Sequence, residues 1–245
     1  KPEDVERVRQ LTGYRDAAPV MHEPFRQWVV EDDFVGCIRP DLAAAGVELV
    51  ADVVPYEHMK LRMLNGTHSA LAYLGYLAGH ETVADTVADP VFSRFVRQLW
   101  TREIIPALQP PPGVDLADYA DRLLERYSNP AIRHRTWQIA MDGSQKLPQR
   151  ILGTIADAID ADRPWPGLAL AVAAWIRYVG GIDEGGNFID VRDPLAAGPE
   201  DKVAAAMGFA EIFSPGFAAR AAPEIVAAYR RLCEIGARRA VEQTD

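Results

Sequence analysis

Cysteine is scarce in this chain, and a long hydrophobic run is missing. Cys37 and Cys233 are the only two cysteines among 245 residues, and they stand far apart. Two isolated cysteines give neither a disulfide framework nor a zinc site, so we predict two free thiols in a cytoplasmic protein. The longest apolar run, Leu168 to Ile176, is much shorter than the roughly 20 residues of a membrane span, which argues against a membrane partner.

Positive charge is also in deficit. The formal net charge is -9 and the isoelectric point is about 5.1. A surface that binds nucleic acid needs a basic face to meet the phosphates, so we expect no nucleic-acid partner. A local basic pocket remains compatible with this composition, because four basic residues lie close together in the sequence: Arg133, Arg135, Lys146 and Arg150.

The alternation of strands and helices that builds a doubly wound sheet is missing as well. No Gly-x-Gly-x-x-Gly motif stands between a predicted strand and a predicted helix, which is the context that a dinucleotide-binding site requires. Gly180-Gly181 and Gly185-Gly186 do not have that context. The chain by itself therefore has no visible dinucleotide-binding site.

What the sequence does contain is mostly helical periodicity. Short strands are predicted within 27–30 and 46–54, and after Pro55 the apolar residues recur at helical spacing. We predict a mainly α protein with one or two short strands near its start, divided into a segment 1–54 and a multi-helical domain 55–245. The predicted helices cover residues 2–12, 56–79, 90–108, 115–127, 130–141, 146–161, 166–179 and most of the chain after 199.

Residues suited to proton transfer are concentrated at the start of the longest predicted helix. Lys60 and His68 are two steps of four residues apart and would share one face of an α-helix, with Asn65 one turn before His68 and Glu57 one turn before Lys60. The apolar neighbours of Lys60 are expected to desolvate its ammonium, and a desolvated lysine serves as a general base near neutral pH. An amide and an imidazole can hold a hydroxyl or carbonyl oxygen in place.

The same spacing has a plainer interpretation. A lysine, an asparagine and a histidine on one helix are more often surface groups and a hydrogen-bonded histidine than an active site. Gly66 costs a helix about 1 kcal/mol relative to alanine, so it indicates close packing or the approach of a ligand at that point. The spacing alone leaves both interpretations open.

Longer motifs carry more information than this spacing. The pattern Lys60-x-x-x-x-Asn65-x-x-His68 lies within KLRMLNGTHSALAY at residues 60–73, and two further segments are EPFRQWVVED at 23–32 and RTWQIAMDGSQK at 135–146. All three resemble the polyol-specific long-chain dehydrogenase/reductase family, which includes mannitol dehydrogenases and fructuronate reductases. The similarity spans nearly the whole chain, with the segments in the same order.

The resemblance implies a fold and a reaction. The chain would be the helical C-terminal substrate domain, similar to that of 6-phosphogluconate dehydrogenase, and segment 1–54 would pack against an N-terminal Rossmann domain that binds NAD or NADP. A sugar alcohol or sugar acid would bind in the cleft between the two domains and be oxidised at a secondary alcohol without a metal. The isolated chain would then be inactive.

The resemblance also implies roles for individual residues. Lys60 would be the general base, Asn65 would help to polarise the carbonyl oxygen, and His68 would hydrogen-bond the substrate. Glu57 would gate a proton path to the lysine. Lys146 would contact hydroxyl groups of the substrate.

One position departs from the family pattern. Mannitol dehydrogenases often have an arginine eight residues before the lysine that corresponds to Lys146, and this chain has Gln138 there. The surrounding segment is more similar to the fructuronate reductase branch, so fructuronate and mannonate are favoured over mannitol and fructose. A sugar acid needs a cationic partner. Arg133 and Arg135 are candidates, although both could equally be solvated helix residues.

A hypothesis of a different class stays open beside the enzyme. The chain could be a non-catalytic helical binding or interaction module that kept the scaffold. The sequence upstream would discriminate the two, because a glycine-rich nucleotide loop there supports the enzyme.

Overall fold

The computed structural model describes residues 2–20, 25–193 and 198–244 and divides the chain into two compact units, 1–51 and 52–245. This division falls between Ala51 and Asp52, three residues before the predicted start of the helical domain. The prediction of a mainly α protein is confirmed, since helices account for most of the described residues.

The first unit contains one α-helix, two short 3-10 helices at Val35–Cys37 and Ala43–Ala45, and a small sheet. The helix Pro2–Thr12 begins the described part, and the strands Val29–Glu31 and Glu48–Val50 pair in parallel, with Val29 opposite Glu48. Both predicted strands are therefore present, but each is only three residues long. The first two residues of the segment EPFRQWVVED, Glu23 and Pro24, lie outside the described residues.

The second unit is built from helices. Several segments follow one another without a break, so that residues 54–77 form one continuous helix, which we name the site helix. The helical segments of this unit are Val54–His58, Met59–Gly66, Thr67–Leu77, Val83–Ala88, Pro90–Gln98, Leu99–Ile104, Ile105–Ala107, Leu116–Tyr127, Thr136–Ile139, Gly143–Leu147, Pro148–Leu152, Gly153–Asp160, Pro166–Val179, Pro199–Phe213, Phe217–Ile235 and Ala237–Glu242.

The helix Pro166–Val179 lies at the centre of the second unit. It is apolar on nearly every side, and it packs against the end of the site helix, Thr67–Leu77, and against Phe217–Ile235. The carboxylate of the buried Glu103 caps its first turn by accepting the backbone N–H groups of Gly167 and Leu168, each at 2.8 Å. The prediction of a buried helix over 166–179 is confirmed, because a helix that is hydrophobic all round must be covered by others.

Three helical segments are widened into π-helix, in which each N–H bonds the carbonyl five residues earlier. These segments are Met59–Gly66, Leu99–Ile104 and Pro148–Leu152, and the first packs against the other two. Gly66 permits the contact with the third segment, since a Cβ atom there would lie only 2.6 Å from the backbone oxygen of Arg150. Of the two interpretations of Gly66, close packing is the one that the structure supports.

The helix predicted over 130–141 is wrong for most of its length. Only Thr136–Ile139 is helical. The side chain of Asn129 accepts the N–H of Ala131 and makes a local turn instead, and Arg135 forms an isolated antiparallel bridge with Thr82 that holds the backbone extended. Arg133 and Arg135 therefore do not lie on a helix.

Cys37 and Cys233 are free and exposed. No described helix is long and apolar enough to cross a membrane. Over residues 2–20, 25–193 and 198–244, no group of three or more histidine, cysteine, aspartate or glutamate side chains is arranged to hold a metal ion.

Gly66→Ala tests the close contact between the π-helical segments. We expect it to lower the free energy of unfolding by roughly 1–3 kcal/mol, because the added methyl group meets a backbone oxygen that cannot move aside independently. The measurement is urea unfolding of this chain.

Gly208→Ala is the matched control. Gly208 lies within the helix Pro199–Phe213, where a Cβ atom would meet nothing within 4 Å, so the higher helix propensity of alanine should raise stability by up to about 1 kcal/mol. If both variants were equally stabilising, the proposed close packing at Gly66 would be wrong.

Candidate active site

The candidate catalytic residues lie where the hydrogen bonding of the site helix changes. Lys60 and Asn65 are inside the π-helical part, and His68 follows in the α-helical part. In a π-helix the hydrogen bonds join residues five positions apart, so Lys60 and Asn65 lie closer to one face than they would in an α-helix. The α-helix predicted for this stretch is therefore corrected to a π-helix over Met59–Gly66.

Buried side chains hold the widened turn in place. The indole N–H of Trp100 donates to the backbone oxygen of Met63 at 3.0 Å, and the hydroxyl of Thr67 donates to the same oxygen at 2.5 Å. The hydroxyl of Tyr127 donates to the backbone oxygen of Leu64 at 2.8 Å. Sequence reasoning missed Trp100 and Tyr127, because nothing in their local pattern marks them as partners of this helix.

Lys60 faces solvent in this chain. Its neighbours Met59 and Met63 are buried in the core, so they do not cover the ammonium as the sequence led us to expect. Asn65 is half-buried, and Glu57, in the preceding turn, is exposed. Among the described residues, neither the Lys60 ammonium nor the Asn65 amide has a hydrogen-bond or ion-pair partner, so both are available to a ligand.

His68 is held as a neutral imidazole. Its ring stacks on Tyr127 with 4.6 Å between centroids and meets the edge of His134 at 5.3 Å. Burial lowers the pKa of His68 to about 3, and the nearby His134 and Arg150 add to this effect. Nε2 of His68 has no exposed surface and no hydrogen-bond partner among the described residues, so it is an enclosed polar atom whose hydrogen bonding is unsatisfied.

The positive charge of Lys146 is partly compensated by oxygen atoms close to its Nζ. Its Nζ donates to the backbone oxygen of Met141 at 2.7 Å and lies 3.6 Å from the carboxylate of Asp142. The carboxylate of Asp193 fixes the start of the same helix by accepting both the N–H and the hydroxyl of Ser144. Within the described residues, no hydrogen bond or ion pair joins Lys146 to Lys60, Asn65 or His68.

Arg133 and Arg135 flank His134 on the exposed segment before Thr136. Both are more than half exposed, and both face Glu81, at 3.8 and 3.7 Å. Gln138 is exposed on the short helix that follows. Their position beside His134 places these arginines near His68, but Glu81 already supplies a negative charge to each of them.

The sequence of the second unit matches a known family. Residues 52–233 match the family described as mannitol dehydrogenase C-terminal domain. The chain belongs to this family. The predicted family membership is therefore confirmed, and the mannitol dehydrogenase C-terminal domain covers nearly all of the second unit.

Individual relatives extend this finding. The chain is 49% identical over 251 residues to "D-mannonate oxidoreductase" of Escherichia coli (strain K12), covering 98% of this chain and 51% of that protein. It is 44% identical over 202 residues to "Mannitol dehydrogenase 2" of Saccharomyces cerevisiae (strain ATCC 204508 / S288c), covering 82% of this chain and 40% of that protein. The chain thus spans about half the length, or less, of these relatives.

The fold has a solved counterpart. The structure of Pseudomonas fluorescens mannitol 2-dehydrogenase, a ternary complex with NAD and D-mannitol, is similar with a TM-score of 0.83 and 37% sequence identity. The match covers 99% of this chain and 51% of that one. The multi-helical fold predicted for a mannitol dehydrogenase C-terminal domain is therefore confirmed.

The burial of His68 predicts how stability depends on pH. The pKa of His68 is lowered to about 3 in the folded chain, whereas an unfolded histidine titrates near 6.5. Between these values the unfolded state binds the extra proton, so stability is full above about pH 6.5 and falls as the pH drops towards 3. This histidine should contribute a slope of roughly 1 kcal/mol per pH unit.

Urea unfolding of this chain between pH 7 and pH 4 measures the effect. His68→Gln should flatten the pH dependence over that range, whatever its effect on stability at pH 7. An unchanged slope in the variant would show that His68 titrates normally in the folded chain.

Proposed function

We propose that this chain is the substrate-binding half of an NAD(P)-dependent oxidoreductase. The enzyme interconverts a secondary alcohol in a sugar alcohol or aldonate and the corresponding ketone, with fructuronate and mannonate favoured over mannitol and fructose. The proposal rests on one face of the site helix. There Lys60 supplies an ammonium, Asn65 an amide and His68 a neutral imidazole, and each has a polar atom without a partner among the described residues. The 49% identity to D-mannonate oxidoreductase supports the preference for a sugar acid.

Lys60 is the proposed general base. In the direction of oxidation its neutral amine takes the proton of the substrate hydroxyl, and in reduction its ammonium returns that proton. Its exposure in this chain fits a site that a second domain and a substrate cover together, since covering a lysine favours the neutral form that a base requires. Glu57, exposed one turn earlier, is the proposed route by which the proton reaches water.

The other site residues hold the substrate. The Asn65 amide donates to the oxygen that becomes the carbonyl, and the neutral ring of His68 bonds an adjacent hydroxyl. Lys146 contacts a further hydroxyl from the neighbouring helix. Arg133 and Arg135 remain candidates for a carboxylate of the substrate. No metal is needed in this arrangement, because hydrogen-bond donors polarise the oxygen.

The residues of this chain do not fit a dinucleotide. The described parallel strands belong to a two-stranded pair, and no glycine-rich loop joins either of them to a helix. The nicotinamide cofactor, which would accept the hydride, is therefore assigned to an N-terminal Rossmann domain, against which segment 1–54 would pack. The cytoplasmic location also stays a prediction.

A substrate panel on the natural full-length protein tests this function. Fructuronate, mannonate, fructose, mannitol and arabinitol are each followed by NADH and NADPH absorbance. Turnover confined to fructuronate and mannonate is the expected result. Turnover of neutral polyols alone would contradict the substrate preference, and no turnover of any compound would favour the non-catalytic module.

Lys60→Met tests the proposed base in the same protein. We expect kcat to fall by roughly 10²- to 10⁴-fold or more, as for the loss of a general base, while the Kd for NADH stays nearly unchanged. Arg97→Met is the control, because it removes a cation from an exposed ion pair with Asp121 outside the site. If Lys60→Met kept most of the wild-type turnover, another group would have to be the base.

A further inference from the structure

The guanidinium of Arg150 is a half-buried positive charge without an acidic partner. Its Nη1 donates to the hydroxyl of Ser69 at 3.2 Å, and its Nε has no exposed surface and no partner among the described residues. No carboxylate of a described residue lies within 4.0 Å of the Arg150 guanidinium, the distance limit for an ion pair. Burial lowers the pKa of Arg150 below its ordinary value, but a guanidinium stays charged in proteins.

Four other arginines of the second unit differ from Arg150 in having a carboxylate close by: Arg62 meets Asp157 at 2.5 Å, Arg97 meets Asp121 at 2.6 Å, Arg220 meets Asp160 at 2.6 Å and Arg238 meets Asp89 at 2.7 Å. A charge that is removed from water without a partner destabilises the fold. A cation kept in this state is ready to pair with an anion that is not part of the described chain.

The position of Arg150 connects it to the candidate active site. Its backbone oxygen lies against Gly66, and its side chain bonds Ser69, the residue that follows His68. It also comes four residues after Lys146, on the segment Pro148–Leu152 that packs against the π-helical part of the site helix. Arg150 is therefore a half-buried basic group of this region whose charge no described acid offsets.

We propose that Arg150 binds the carboxylate of a sugar-acid substrate and, rather than Arg133 or Arg135, gives the site its preference for aldonates over neutral sugar alcohols. This inference rests on the proposed function. The planar guanidinium suits a carboxylate because it offers two parallel N–H groups. Arg133 and Arg135 are poorer candidates, since each already faces Glu81 and is more than half exposed.

Steady-state kinetics of the natural full-length protein with mannonate test the assignment. Arg150→Gln should raise KM for mannonate by roughly 10- to 100-fold, with a smaller effect on kcat and none on KM for the nicotinamide cofactor. Arg150→Lys keeps the charge but not the paired N–H groups, so its KM should lie between those of Arg150→Gln and the wild type. Thermal unfolding of each variant, with Arg97→Gln as the control, reports whether the fold is kept.

The outcomes separate the alternatives. A rise in KM for mannonate in Arg150→Gln, but not in a variant that combines Arg133→Gln and Arg135→Gln, supports the assignment. The reverse pattern overturns it, and so does an equal loss for mannonate and for the cofactor, which would indicate a structural role or a contact with the pyrophosphate. If the wild type oxidised mannonate and Arg150→Gln matched it, only this inference would fail. A wild type without activity on sugar acids would remove the proposed function as well.

Discussion

The widened turn Met59–Gly66 is the constraint on which the candidate site depends. A π-helical turn is rare because its hydrogen bonds are less favourable than those of an α-helix, so the surrounding fold must stabilise it. Here Gly66 lets the backbone of Arg150 approach, and the buried Trp100 and Tyr127 donate to backbone oxygens of the turn. Tyr127 also stacks on the ring of His68, so one buried side chain holds both the helix and this imidazole in place.

The charges around this turn are arranged unevenly. Lys60 is exposed, Lys146 has Asp142 beside it, and Arg150 is half-buried without a described acid. His68 is kept neutral by burial and by the positive charges near it. Lys60 and Arg150 are thus two cations without a described acid beside them, which is consistent with the proposed sugar-acid substrate.

The sequence predicts much of the fold, and less of the site. The buried helix 166–179 follows from an apolar run bounded by Pro166 and Gly180, and the family follows from long motifs around Lys60 and Lys146. The π-helical turn does not follow, because it depends on donors from Trp100 and Tyr127, distant in sequence. The helix expected over 130–141 fails because the side chain of Asn129 makes a turn. The isolation of Arg150 likewise depends on where acidic residues lie in three dimensions.

A crystal structure of the natural full-length protein with NADH and mannonate would test the central claim most directly. The account predicts that the reacting oxygen of the sugar acid lies within about 3 Å of both Lys60 Nζ and the Asn65 amide, with the ring of His68 bonded to a neighbouring hydroxyl. A sugar acid bound elsewhere, with Lys60 left in solvent, would contradict the claim that the widened turn of the site helix forms the active site.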